Sequence, residues 1–198
     1  MGGHCSTLTD DIIEDHKRKK RVHYHTFEVV KQPSARFDEV RQRLAMLSYI
    51  AEPDDEFIIW TGSSILIGST ADGVIQAFVC VIDSDTYMDT GREWFQEQAA
   101  LDDDFAKRGG LLDTGQRGGF LTSLCGNIDE YYGLGEGLLA RLDMLSAGLD
   151  YLFLHVSDSK PTKDKLIKLY GSVGFEVLDF PYVETTGESF TVMRKMLK

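Results

Sequence analysis

Gly133-Leu134-Gly135-Glu136-Gly137 carries the strongest indication of how this chain folds. Residues 119–128 before it form a strand-like run, and residues 138–145 after it form an amphipathic helical run. A glycine-rich turn between a strand and a helix presents backbone N–H groups and aims a helix N-terminus at whatever binds there. Both features favour a phosphate. Glycine suits such a loop because a Cβ would keep the backbone away from a pyrophosphate. A turn that binds nothing has the same composition, so the loop alone does not choose between the two.

A second element sharpens the reading. Lys168-Leu169-Tyr170-Gly171-Ser172-Val173-Gly174-Phe175 closes a helical pattern and leads into a strand over residues 175–180. The order is strand, glycine loop, helix, strand, helix ending in Leu-Tyr, Gly-Phe, strand. It resembles the GNAT superfamily of acetyl-CoA-dependent N-acetyltransferases. The family loop reads R/Q-x-x-G-x-G/A; here the glycines match at Gly135 and Gly137, and Tyr132 stands at the Arg/Gln position. The later family pattern L-Y-x-x-x-G-F is met by Leu169, Tyr170, Gly174 and Phe175. The likeness spans residues 64 to 180 or so.

The resemblance implies a single α/β (α+β) domain. Its sheet would be mixed, mostly antiparallel and twisted, splayed at the centre and flanked by helices. It also implies acetyl-CoA as co-substrate. The pyrophosphate would lie against the N–H groups of Tyr132, Gly133, Leu134, Gly135, Glu136, Gly137 and Leu138. The pantetheine arm would pair with the strand edge at Cys125, Gly126 and Asn127. Gly126 would mark a bulge that splays two parallel strands and opens N–H groups to the thioester oxygen. Tyr170 matches the tyrosine that the family commonly uses to protonate the departing sulfur; a phenol with pKa ~10 can donate at neutral pH. A core aromatic closing the helix on the sheet is the plainer reading of the same residue. Two departures bear on cofactor affinity: Tyr132 carries no charge, and Glu136 adds a negative one. Lys160 and Lys163 are candidates to restore the cation, in a stretch (157–163) where the family often has an asparagine.

Length and composition set the outer bounds. A chain of 198 residues is sized for one domain with a good core. The net charge of −11 argues against a nucleic-acid binder and is compatible with a cationic substrate. Cys5, Cys80 and Cys125 are widely spaced, with no C-x-x-C, so neither a zinc site nor a disulfide framework is indicated. Reduced cysteines and the lack of an apolar run of ~20 residues point to a cytoplasmic protein. Residues 1–23 read as a flexible tail with the basic run His16-Lys17-Arg18-Lys19-Lys20-Arg21. The opening Met1-Gly2-Gly3-His4-Cys5-Ser6 fits N-myristoylation, and with the basic run it would give weak membrane association. A free Gly2-Gly3-His4 terminus would instead suit square-planar Cu(II) or Ni(II). A solvated leader is the third reading.

The domain proper spans residues 24–198. It opens with a strand over 24–30 and a helix from Ser34 to Tyr49, with Phe37, Val40, Leu44 and Leu47 at helical spacing. Residues 57–60 are apolar and fit no element. Strands over 64–69 and 74–82 flank Ala71-Asp72-Gly73, a hairpin signal. Residues 84–118 read as an insertion with a helix over 92–107, rich in acids, and flexible at Gly109-Gly110 and Gly118-Gly119. It is either a lid over the substrate end or a dimerisation helix, so monomer and homodimer both stay open. As a lid, Asp83, Glu93 and Glu97, with Asp85, Asp89 and residues 102–104, would bind the ammonium groups of a small cationic amine flanked by Tyr87 and Trp94.

Two other phosphate folds fit less well. The loop lacks the Lys-Ser/Thr of a P-loop. A dinucleotide-binding reading needs G-x-G-x-x-G and an acid ending the next strand; Asp158 is near that place, but the spacing here is G-x-G-x-G. Among general bases His155 is the most suitable by intrinsic pKa, beside its reading as a packed strand histidine. Asp83 and Glu130 are further candidates. The expected function is acetyl transfer to a primary amine, a polyamine first. A protein N-terminal or lysine acetyltransferase and a non-catalytic acyl-CoA-binding module are the alternatives.

Overall fold

The computed structural model describes residues 19–51, 57, 59, 61–83, 117–183 and 187–197, without the side chains of 179–183. The opening motif, Cys5, the expected helix over 92–107 and the acids and aromatics from 85 to 104 lie outside the described residues.

The strand order follows from patterning on both faces of one sheet. Strands β1 (Lys20–Arg21) and β2 (Thr26–Lys31) precede helix α1 (Ala35–Ala51). Then come β3 (Ser64–Ser69), β4 (Ile75–Asp83), β5 (Gly118–Gly126) and β6 (Tyr131–Tyr132). Helix α2 (Leu134–Leu139), a 3-10 turn (Leu142–Met144), β7 (Tyr151–Ser157), α3 (Lys163–Ser172), β8 (Glu176–Val183) and β9 (Ser189–Met196) complete the chain. The main sheet runs β2-β3-β4-β5-β7-β9-β8, antiparallel except for β5 beside β7. Along β3 and β4, Ile65, Ile67, Phe78 and Cys80 pack under α1 with Leu44 and Leu47. Their alternates Leu66, Val79 and Val81 pack under α2 with Leu138, Leu139 and Leu142. Burial on both faces is why these strands read as continuous apolar runs.

The sequence-expected elements appear with shifted ends. Ser34 caps α1, its Oγ accepting the Phe37 N–H at 3.1 Å. The hairpin turns at Gly73, φ 79°, with the Asp72 carboxylate accepting from the Thr70 hydroxyl at 2.6 Å. Phe57 of the unplaced apolar run meets Phe78 edge-on, centroids 6.4 Å apart.

Three expectations are corrected. First, the helix expected over 138–145 is a six-residue α2 followed by the 3-10 turn. Gly135 and Gly137 each weaken a helix by up to ~1 kcal/mol. Tightening to i→i+3 bonds, Arg141 N to Leu138 O (2.8 Å) and Leu145 N to Leu142 O (3.0 Å), keeps Leu142 and Leu145 buried. Second, residues 20–22 are not tail. β1 pairs with β6 in parallel, Lys20 beside Tyr131 and Arg21 beside Tyr132, and Val22 is buried. Third, Gly118 and Gly119 are not a flexible link but the buried start of β5. A Cβ on Gly118 would enter the Tyr151 ring, and one on Gly119 would meet Leu149 at 2.7 Å.

The centre of the sheet opens as a V. β5 and β7 pair only at Gly118–Tyr151, Gly119–Leu152 and Phe120–Phe153. Directly after this, β4 pairs Val81 with Leu121 and Cys80 with Ser123, leaving Thr122 as the extra residue of a bulge. A bulge bends its strand. Gly126, expected to be the bulge, pairs in register with Ala77. It is small because a Cβ there would meet Ala77 Cβ and Leu134 Cδ1, each at 3.0 Å.

Candidate active site

Each glycine of the loop has its own task. Gly133 takes the left-handed φ of 75° that starts α2, and its Cβ position is open but for Arg21 and Glu136 at 3.8–3.9 Å. Gly135 lets α2 approach Leu169 Cδ2, 3.0 Å from its Cβ position, and Leu124 Cδ2 at 3.3 Å. Gly137 makes room for the Tyr24 ring, 2.6 Å from its Cβ position. That ring also lies against Gly68, and its hydroxyl donates to Leu134 O at 3.0 Å. Burial pushes the Tyr24 phenol above its ordinary pKa, so it stays a donor. Gly135 and Gly137 therefore admit protein side chains against α2.

Gly137 N–H already bonds Gly133 O at 3.2 Å. The amides of Leu134, Gly135 and Glu136 come before this first intrahelical bond, a shorter set than residues 132–138. Tyr132 lies half-exposed on β6. The charge of Glu136 meets Arg21 of β1 at 3.8 Å, both side chains 63% exposed. Arg21 is thus a cation beside the loop. Sequence reasoning missed it because it had counted the segment as tail. Lys163 is committed elsewhere, 2.7 Å from Asp158.

The V holds a cavity of about 400 Å³. Leu121 to Cys125 of β5 form one wall and Leu154 to Ser157 of β7 the other. Tyr170, Lys160, Glu188 and Phe190 close it. From Leu121 onward, β5 has no strand partner on the β7 side among the described residues. Such an edge can pair with an extended amide-bearing chain.

Tyr170 reaches the cavity from the last turn of α3. The Leu-Tyr-x-x-x-Gly-Phe run is a helix stop of defined geometry. Gly174, φ 92°, donates to Gly171 O at 3.1 Å, and Phe175 N–H donates to Tyr170 O at 3.1 Å. These are the two bonds of a Schellman cap, and the Tyr170–Phe175 edge contact, centroids 5.7 Å apart, is its apolar partner. The motif fixes where Tyr170 sits, on the wall of the cavity.

His155 stands on β7 with its ring between Phe120 (centroids 5.1 Å) and Phe190 (4.6 Å). Burial pushes its pKa down from 6.5 to about 4; the Glu188 carboxylate opposes the fall and Lys160 adds to it. The imidazole is therefore neutral at pH 7, with little appetite for a proton. Glu188, just before β9, escaped the sequence reading because residues 181–198 were assigned to no element. Its Oε1 accepts from Ser159 Oγ at 3.2 Å and from Ser157 Oγ in a short bond.

The other expected site residues lie apart. Cys125 lines the cavity, its Sγ 4.0 Å from Ser48 Oγ. Asn127 is buried, donating from Nδ2 to Gln76 Oε1 at 3.2 Å, while its carbonyl takes the N–H groups of Glu130 and Tyr131. It closes the β5–β6 turn. Leu138 is fully buried in the core. Asp83 is opposite Gly119 at the closed end of the V, bonded to Arg117 at 2.8 Å. Glu130 is exposed in the β5–β6 turn. Glu93 and Glu97 lie outside the described residues. Asp158 accepts from Lys163 and from Ser189 and Thr191 of β9 at 2.8 and 2.9 Å. These bonds hold its pKa below the usual range and tie β7 to β9. Among the described residues no group of three or more His, Cys, Asp or Glu is arranged to hold a metal.

This fold is that of the GNAT acetyltransferases. An acetyltransferase of Bacillus subtilis in complex with CoA matches at TM-score 0.51 and 9% identity, over 87% of this chain and 98% of its own. A ribosomal-protein alanine N-acetyltransferase of Escherichia coli matches at 0.51 and 16%, over 87% and 95%. A variant of the spermidine N-acetyltransferase SpeG of Vibrio cholerae matches at 0.55 and 12%, over 86% and 92%. No family model and no curated protein sequence matches the chain.

Proposed function

We propose that this protein transfers an acetyl group from acetyl-CoA to a primary amine, with a small cationic acceptor such as a polyamine first among substrates. The observation that carries the reading is the V between β5 and β7, with Tyr170 on its wall and the α2 loop at its side. Pantetheine would run along the unpaired β5 edge, and the pyrophosphate would meet the amides of Leu134, Gly135 and Glu136 with Arg21 near. Tyr170 would protonate the leaving thiolate. The net charge of −11 favours a cationic acceptor. Spermidine is the named substrate of one structural neighbour, and an alanine of a ribosomal protein that of another. The latter supports a second reading, acetylation of a protein N-terminus or lysine. Cys80 and Cys125 are buried thiols, which accords with a cytoplasmic protein.

Calorimetric titration with acetyl-CoA, then thiol release over an amine panel, tests the proposal. Binding and release with spermidine are expected. Binding with no turnover on any amine would leave an acyl-CoA-binding module, and no binding would end the reading. Competition between spermidine and lysine peptides for radiolabelled acetyl groups separates the two acceptor classes.

A further inference from the structure

Amine acetylation begins with an ammonium, and the cavity must relieve it of a proton before nitrogen can attack. Sequence reasoning assigned that step to His155, Asp83 or Glu130. His155 is a weak base in its apolar cleft, Asp83 is bonded to Arg117 at the closed end, and Glu130 faces solvent. Among the described residues that line the cavity, Glu188 is the one carboxylate.

Resting on the acetyl-transfer reading, we propose that Glu188 is the catalytic base, receiving the acceptor as its ammonium and taking the proton that frees the nitrogen lone pair. The carboxylate is built in place. Ser157, at the end of β7, and Ser159, in the turn after it, converge on Oε1, and their hydroxyls lie 2.8 Å from each other. The Ser159 N–H, 3.2 Å from Ser157 Oγ, fixes the pair. The charged and titratable groups that line the cavity with Glu188 are His155 of β7, Lys160 of the following turn, Tyr170 of α3 and Cys125 of β5. Asp158 and Lys163 satisfy each other beside it. The neutral His155 ring completes the wall between the carboxylate and Phe120.

The step balances. An N–H bond of the ammonium breaks, its electron pair stays on nitrogen and the proton goes to Glu188. Nitrogen attacks the thioester carbon, the C–N bond forms, and the C–S pair leaves with sulfur, which takes the Tyr170 proton. The second amine proton replaces the one that Tyr170 gave. Glu188 releases its proton to solvent, so amide, free thiol and one proton result.

The test compares wild type, Glu188→Gln and Glu188→Asp in the full chain, with spermidine and a lysine peptide as acceptors. Glutamine retains size and an acceptor oxygen for the serines but no basicity. Wild-type kcat/KM should be level across neutral pH. In Glu188→Gln it should fall about 10²-fold at pH 7 and climb roughly tenfold per pH unit, because only amine already neutral in bulk reacts. Acetyl-CoA affinity should not change. Glu188→Asp should recover the level profile at reduced height. An unaltered profile in Glu188→Gln overturns the proposal, as does a Glu188→Asp profile as steep as that of glutamine. Wild type that binds no acetyl-CoA, or acetylates no amine, removes the underlying reading instead.

Discussion

Tyr170 has two roles that one atom separates. Its ring and carbonyl serve the Schellman cap, and the residue lines the cavity, where the proposed acetyl transfer would use its hydroxyl. Tyr170→Phe retains the cap and should melt near wild type, yet lower kcat by about 10²-fold with acetyl-CoA affinity little changed. An unchanged kcat would take the hydroxyl out of the mechanism. The L-Y-x-x-x-G-F run was legible because every bond in it is local. Glu188 was not, since what makes it a site residue is its meeting with Ser157, Ser159 and His155 across strands. His155 carries a prediction for stability. Its folded pKa, about 4, lies below its ordinary 6.5, so the unfolded chain binds the proton more readily. The contribution is full above pH 6.5 and is lost as pH falls toward 4. Urea midpoints measured from pH 7.5 to 4.5 should fall, and His155→Gln should flatten that decline. Equal slopes in the two proteins would show that burial does not perturb the group.

Among the elements, α2 shows that a glycine motif carries packing demands from distant parts of the chain. The glycines of the loop were legible, and so was the strand-turn-helix order. Beside the clearance that a pyrophosphate needs, Gly135 and Gly137 accommodate Leu169 and Tyr24. Tyr24 comes from the segment before β2, over a hundred positions upstream, and nothing local in the loop announces it. Gly137→Ala would drive a Cβ to 2.6 Å from the Tyr24 ring. Overpacking of this kind costs about 1–3 kcal/mol. For a chain of this size each kcal/mol is roughly 2–4 °C in Tm. Thermal melts should therefore drop by several degrees, and Tyr24→Leu in the same chain should restore part of the loss. A Gly137→Ala melt at the wild-type temperature would mean that Tyr24 does not wedge α2.

At the scale of the whole molecule, the sheet is two half-sheets hinged at one short parallel contact. β2-β3-β4-β5 and β7-β9-β8 meet through three residue pairs, and past them the V opens. Strands β3 and β4 are legible from their continuous apolar runs and the Asp72-Gly73 turn, whereas β9 is not. The splay was expected, but its cause was placed at Gly126 because a glycine in a strand suggests a bulge. Register, which puts the bulge at Thr122, is a property of pairing and leaves no mark on the residue. Gly118 and Gly119 were read as flexible for the same reason: composition says that glycine permits motion and is silent on what presses against it. Here Tyr151, 2% exposed, fills the space over Gly118. Gly118→Ala must displace that ring and loosen the closed end of the V. We expect a loss of about 1–3 kcal/mol, read as Tm, together with weaker acetyl-CoA binding although the substitution lies far from the α2 loop. Gly171 supplies the opposite sign. It sits in α3 with nothing within 4 Å of its Cβ position, so Gly171→Ala should stabilise by about 0.5–1 kcal/mol through helix propensity alone. If both alanines move Tm the same way, close approach is not what Gly118 provides, and the hinge must be sought elsewhere along β5 and β7.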